Sequence, residues 1–279
     1  MSRAGADSAG DDGERVRFTP LMYLEHCLRE RARRGLPASL EDFGVSPLVI
    51  GTWFHWVTEY LVGASGACPT QDWPYGSASH PILYSGEVGG AGVSLVTFPL
   101  GAPGTVAEME DLAAAGARRF IGVGLSGSLQ EKAPVGSVII PGECVREEGT
   151  SFHYIPPDVK VGPDPVLAGL LEAVLGRAGM EVARGPHWTT DAPYREFIWK
   201  IDKYREAGVV GVDMETSAMY ALGRFRSLSV ANVLVVSDEL WREWRPAFGT
   251  EELKASVLRV LEALLKNVPE LTAARSGRS

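Results

Sequence analysis

Two short segments place carboxylates where an apolar run gives way to a polar one. Gly211-Val-Asp213-Met214-Glu215 leads from a strand-like pattern into a helical one, and Val233-Leu-Val-Val-Ser237-Asp238 ends a second apolar run on an acid. In α/β proteins the carboxyl ends of buried strands line the ligand crevice. There Glu215 can accept two hydrogen bonds from a sugar diol, since an ionised carboxylate is a pure acceptor. Asp238, partly withdrawn from water, can act as a proton donor to a leaving group. Read alone, each acid also fits a plainer and common role, capping the helix or loop that follows it. Two acids brought by successive strands to one edge, with one helix between them, point to a shared site.

Gly122-Val-Gly124-Leu125-Ser126-Gly127 is a literal GxGxxG after a strand pattern. Ten residues, among them Pro134 and Gly136, separate it from Val138. A parallel crossover through a helix needs about a dozen residues or more, so no helix is available to hold a pyrophosphate. The segment is then either a strand end where backbone approaches a small ligand closely or a plain tight turn. No cofactor is expected. Ser126 does not stand in GxSxG, so no nucleophile elbow is read. The five histidines, His26, His55, His80, His153 and His187, show no HxH or HxxxH spacing, and no metal site is expected. Trp241 and Trp244, beside Arg242 and Arg245, form either a lid that stacks on a base or a packed surface helix. Arg29, Arg31, Arg33 and Arg34 read as a solvated helix face.

The elements that would position these groups follow from periodicity. Val/Ile/Leu-rich runs at 48–51, 93–98, 119–124, 137–144, 209–212 and 230–237 predict strands buried on both faces. Helical patterns lie at about 20–34, 104–116, 164–179, 195–207, 214–226 and 250–267. The last has Thr250 as a cap, Glu251 and Glu252 at the positive end of the dipole, and one apolar stripe. Residues 63–90 read as loop-rich, and 1–15 and 271–279 as disordered tails around a single α/β domain at 16–270. The 279 residues carry a formal charge of −8, against a nucleic-acid or anionic-membrane binder. No apolar run approaches the roughly 18 residues of a membrane helix, and the polar start has no secretory core. Three scattered cysteines without CxxC fit a reducing cytoplasm.

In this order the segments resemble the nucleoside phosphorylase and nucleosidase superfamily, of the uridine and purine nucleoside phosphorylase-like type. The resemblance covers about 47–266. It rests on Ser46-Pro-Leu-Val-Ile-Gly51, Gly122-Val-Gly124-Leu-Ser-Gly127 with Val135-Gly136-Ser-Val138, Val212-Asp-Met-Glu215, and Val236-Ser-Asp238. It implies a three-layer αβα fold around a central mixed, partly barrel-like sheet, and cleavage of the N-glycosidic bond of a nucleoside. Position by position, it implies that Met214 and Glu215 bind ribose and that Asp238 protonates the leaving base, as in purine-cleaving members. Thr190, Asp191, Pro193 and Tyr194 fall where base contacts lie, and Gly124, Leu125 and Ser126 fall in the central glycine motif of the substrate site. Phe152, His153 or the 20–34 helix would reach a partner's pocket in a homodimer or trimer of dimers.

The departures concern phosphate. The family's first phosphate arginine corresponds to His55, its second to Gly122, and a Ser/Thr ligand to Leu125, with Ser126 adjacent. Either Arg119, Arg146 or a partner's arginine substitutes, or the acceptor is not phosphate, because fixed cationic donors supply most phosphate recognition. His55 either orients an attacking water or packs in an aromatic wall with Trp53, Phe54 and Trp56. The expectation is therefore nucleoside cleavage, a purine-type base favoured, with water slightly ahead of phosphate. The alternatives are a phosphorylase with non-standard phosphate ligands and a non-catalytic nucleoside binder or tailoring enzyme for modified nucleosides.

Overall fold

Apolar runs with both faces buried form the middle of the molecule, as their composition requires. The computed structural model describes residues 16–77 and 79–273. In chain order come α1 (Pro20–Arg33), β1 (Leu48–Thr52), α2 (His55–Ser65), β2 (Cys68–Pro69), β3 (Leu83–Val88) and β4 (Ala91–Thr97). Next are α3 (Ala102–Ala114), β5 (Arg119–Ser128), β6 (Val138–Glu147), α4 (Pro165–Arg177), β7 (Val182–Thr190) and α5 (Ile198–Glu206). The chain continues through β8 (Gly211–Asp213), α6 (Thr216–Phe225), β9 (Ser229–Glu239), β10 (Arg245–Pro246), α7 (Glu251–Lys266) and α8 (Val268–Ala273).

The strands make one mixed sheet in the order β10-β9-β6-β7-β8-β5-β1-β4-β3-β2, and β9 also pairs with β5. That extra pairing closes β9, β6, β7, β8 and β5 into a five-stranded barrel, with β1 to β4 as an open wing. β5 runs parallel to both β1 and β9, whereas β8 runs antiparallel to β5. Helices cover both faces. Buried side chains of α2, α4, α7 and α8 pack on one side, and those of α1, α3 and α6 on the other. The α/β, three-layer architecture with a partly barrel-like central sheet is the one expected. On α7, Leu253, Val257, Leu261, Leu264 and Leu265 are buried and the Thr250 side chain caps the first turn. Burying such a side chain contributes roughly 1.5–3 kcal/mol.

Several expectations need correction. The GxGxxG segment is not a tight turn: it is the C-terminal part of β5, which runs on to Ser128. β7 has no counterpart in the periodicity reading, because Arg184-Gly185-Pro186-His187 interrupts its apolar run. Gly185 lets it lie close to the residue ahead of β8: a Cβ there would meet Val210 at 2.7 Å. The loop-rich stretch 63–90 contains β2 and β3. Residues 271–273, assigned to the tail, complete α8 with Leu271 buried. The predicted tail at 1–15 and its counterpart at 274–279 lie outside the described residues. Among the described residues no helix is long and apolar enough to cross a membrane.

Candidate active site

β8 is three residues long and passes directly into α6, so the Asp213–Glu215 turn is fixed at both ends. Asp213 takes the plainer role foreseen for it. Its Oδ2 accepts from the Thr216 amide at 3.0 Å and from the Thr216 hydroxyl, and its Oδ1 accepts from the Thr189 hydroxyl at 2.8 Å. Thr189 in turn accepts from the Ser217 amide at 3.0 Å. His187 on β7, fully buried, lies 3.7 Å from Asp213, and burial holds its imidazole below the ordinary range. Glu215 stands at the N-cap of α6, but its side chain makes no capping bond. Its Oε1 instead accepts from the Gly101 amide at 2.7 Å, just ahead of α3. Burial, then the charge of Asp213, pushes Glu215 up to about 8. Met214 beside it is half-buried.

Asp238 sits near the end of β9, 9% exposed. Its Oδ1 accepts from the Ser237 hydroxyl at 2.7 Å and its Oδ2 from the Trp244 indole at 2.9 Å. Gly127 of β5 is in register with Asp238 on one side and with Val212 on the other. Two strand spacings, about 10 Å, therefore separate these backbones. Because β8 opposes β9 in direction, the two acids come from opposite directions, which corrects the expectation that successive strands deliver both to one edge. Beyond Val212 the chain heads back along β5, away from the level of Asp238. Glu196, which the sequence reading did not single out, is pushed up to about 7 by burial and by Asp238. The one signal for it was its place two residues after Tyr194.

The other candidates divide. Glu148 accepts from the Ser217 hydroxyl and the Ser151 amide, both at 2.8 Å, and so ties the turn of Phe152 and His153 to the start of α6. Thr190 accepts from the Ala192 amide at 3.2 Å, and Asp191 from the Gly149 amide at 2.9 Å. Phe152 lies under the Arg146 guanidinium, 4.3 Å away, and is 43% exposed. Tyr194 is 98% exposed and stacks on no ring among the described residues. The Ser126 hydroxyl is buried and donates to the carbonyls of Gly127 and Val212, within the barrel wall. Leu125 is half-buried.

Gly122 and Gly124 are not open to a ligand on their Cβ side. A Cβ on Gly124 would meet the Trp53 ring at 2.7 Å, and one on Gly122 would meet Asn232 and, at 3.2 Å, the same ring. Trp53 is held there by its indole N–H, which donates to the Thr105 hydroxyl at 2.8 Å. His55 is exposed at the first position of α2 rather than packed in an aromatic wall. The substitute arginines are engaged elsewhere. Arg119 donates to the carbonyls of Leu271 and Thr272, and Arg146 to those of Ile155, Pro156 and Val159 and to the Ser151 hydroxyl. The β8–α6 turn is thus a cluster of carboxylates, with both Asp213 and Asp191 acting on Glu215. Such a field suits a sugar that develops positive charge.

A family model described as the phosphorylase superfamily matches residues 57–269. The uridine phosphorylase of Treponema pallidum is 29% identical over 184 residues, covering 62% of this chain and 70% of that protein. The guanosine phosphorylase of Halorubrum lacusprofundi is 26% identical over 151 residues, covering 54% and 63%. The uridine phosphorylase of Thermococcus kodakarensis is 30% identical over 167 residues, covering 55% and 60%. The last two matches span less than two thirds of the relative's own length.

Proposed function

The chain belongs to the phosphorylase superfamily, and from that premise we propose that it cleaves the N-glycosidic bond of a nucleoside, purine-type bases first, with water rather than phosphate taking the sugar. Glu215 receives the sugar hydroxyls, with Gly101 and the Asp213 network fixing its turn. As the C–N bond breaks, its electron pair leaves with the base and the sugar becomes oxocarbenium-like. A Glu215 carboxylate beside the ring stabilises that charge more than it stabilises the neutral ground state. Asp238 gives its proton to the departing base. Water adds to the anomeric carbon, and His55, exposed at the start of α2, is the group assigned to orient it and take its proton.

The observation that carries the choice of water is the Trp53 indole over Gly122 and Gly124, an apolar ring where a phosphate arginine would be needed. Arg119 and Arg146, both engaged with backbone carbonyls, support the same reading. The purine preference rests on Asp238 as a proton donor. A phosphate-dependent reaction is the second reading, favoured by the relatives, which are named as phosphorylases. Assembly as a homodimer or trimer of dimers is part of the proposal, supported by the exposed apolar run of Tyr194, Phe197, Ile198 and Trp199.

Chromatography of guanosine, inosine, adenosine and uridine incubations, with and without phosphate, tests it. Equal purine release in both buffers is expected. Release that requires phosphate overturns the hydrolytic reading, and no release from any nucleoside overturns cleavage itself.

A further inference from the structure

Beyond Asp238 the chain turns back on itself, and β10 pairs antiparallel with the end of β9, Arg245 opposite Glu239 and Pro246 opposite Asp238. The base of this strap is fixed. Glu239 is fully buried and accepts from the Val135 amide at 3.2 Å, from Arg242 at 2.6 Å and from Arg245 at 3.4 Å. The Ala247 amide also returns to the Ser237 carbonyl at 2.9 Å. The tip is different. Trp244 is 59% exposed, and the bond from its indole to Asp238 Oδ2 ties it down.

We propose that Trp244 is a positioning residue of the base subsite: its indole N–H holds one oxygen of Asp238 and yields that oxygen to the nucleobase, which the ring then covers. The inference rests on the reading of Asp238 as the acid. An indole has a single donor, and here it is used on Asp238. The other Asp238 oxygen takes the Ser237 hydroxyl. With each oxygen already accepting one bond, a base that approaches Oδ2 competes with the indole for it, and the carboxyl is freed toward the base when that donor withdraws. Ser237 is the next residue on the same rigid strand and is buried, whereas Trp244 stands on an exposed tip between two fixed points. The indole is the donor free to leave. The titratable group facing Asp238 from another element is Glu196, ahead of α5, which as a carboxylate has no donor with which to replace the indole. Once released, the ring offers a flat apolar face to a heterocycle, the geometry aromatic side chains use in stacking.

The experiment compares Trp244→Phe, which keeps a ring and removes the donor, with Trp244→Ala, which removes both, in the full chain. Circular dichroism melts first establish that both variants fold. With the purine nucleoside that the wild type cleaves fastest, Trp244→Phe is expected to lower KM about threefold to tenfold, the size of one competing hydrogen bond, while kcat changes less than KM. Trp244→Ala is expected to raise KM at least about tenfold, through loss of the stacking surface. In 15N-indole NMR, the Trp244 resonance, assigned by its absence in Trp244→Phe, should shift in Asp238→Asn and again on addition of the free purine base. A KM that is unchanged in Trp244→Phe, or raised as in Trp244→Ala, overturns the exchange, as does an indole resonance indifferent to the base. Failure of the wild type to release any base would instead strike at the nucleoside reading, and the Asp238→Asn comparison would still report on the indole–carboxylate bond.

Discussion

The Gly101 amide donates to the Glu215 carboxyl across 2.7 Å, joining the loop ahead of α3 to the turn between β8 and α6. Glu215, the acid proposed for the sugar side, is thereby held by a loop 114 residues away in sequence and is kept out of water. Burial and Asp213 push it up to about 8, so at neutral pH much of Glu215 carries a proton. The anion is the form that accepts a diol and stabilises an oxocarbenium-like sugar. With the carboxyl raised, the anion fraction grows as pH climbs through about 8, so kcat/KM is expected to rise toward alkaline pH and level off above it. Glu215→Gln should lower kcat/KM by about 10²–10³ and flatten that rise. A pH–rate profile of both proteins checks the pair of effects.

In the proposed reaction Asp238 acts on the other end of the broken bond, and its contribution depends on how much the leaving base needs a proton. Asp238→Asn is expected to reduce kcat by about 10²–10⁴ for natural purine nucleosides. The loss should be much smaller for 4-nitrophenyl riboside, whose leaving group departs without protonation. Equal losses on the two substrates would assign Asp238 to positioning rather than proton transfer.

Gly124 and Trp53 give a prediction about packing. The indole covers the glycine so closely that a methyl group would sit 2.7 Å from the ring. Gly124→Ala is expected to destabilise the fold by about 1–3 kcal/mol, the usual range for overpacking. Urea unfolding should show a lower midpoint with an unchanged slope. A neutral result would mean that the ring moves aside readily and that the space above β5 is available to ligands.

What could be read from residue order depended on range. The stripe on α7 and the buried runs of β5 and β9 are local patterns, and each produced the expected element. The direction of β8 is not local: a strand of three residues is oriented by its partners, β7 and β5, and nothing within Gly211-Val-Asp213 encodes it. The same holds for the cover on the glycines. Gly122 and Gly124 announce that something approaches closely, yet only the fold shows that it is Trp53, seventy-one residues before Gly124. Glu196 escaped notice because an isolated Glu has no pattern, and its proximity to Asp238 arises from the packing of the segment ahead of α5. The acids of the β8–α6 turn and of β9 were legible as residues, whereas their opposed approach was not.

Glu108 on α3 supplies the last prediction, and it concerns stability. The side chain is completely buried, its Oε1 accepts from the Trp73 indole at 2.5 Å, and its Oε2 has no hydrogen-bond partner among the described residues. Burial, with the charge of Asp111 adding to it, pushes this carboxyl up to about 8. Asp111 is itself pushed up to about 7 by burial and then by Glu110. A carboxyl raised on folding binds its proton more tightly in the native state than in the unfolded one. Its stabilising contribution is complete below the unfolded value of about 4.3 and is lost as pH rises through about 8. Across that window each such group can lower stability by up to about 1.4 kcal/mol per pH unit. Glu108→Gln keeps the acceptor for Trp73 and removes the titration, so the variant should lose less stability than the wild type between pH 5 and pH 9. Urea unfolding at pH 5, 7 and 9 measures both slopes, and parallel slopes would show that Glu108 keeps one charge state throughout.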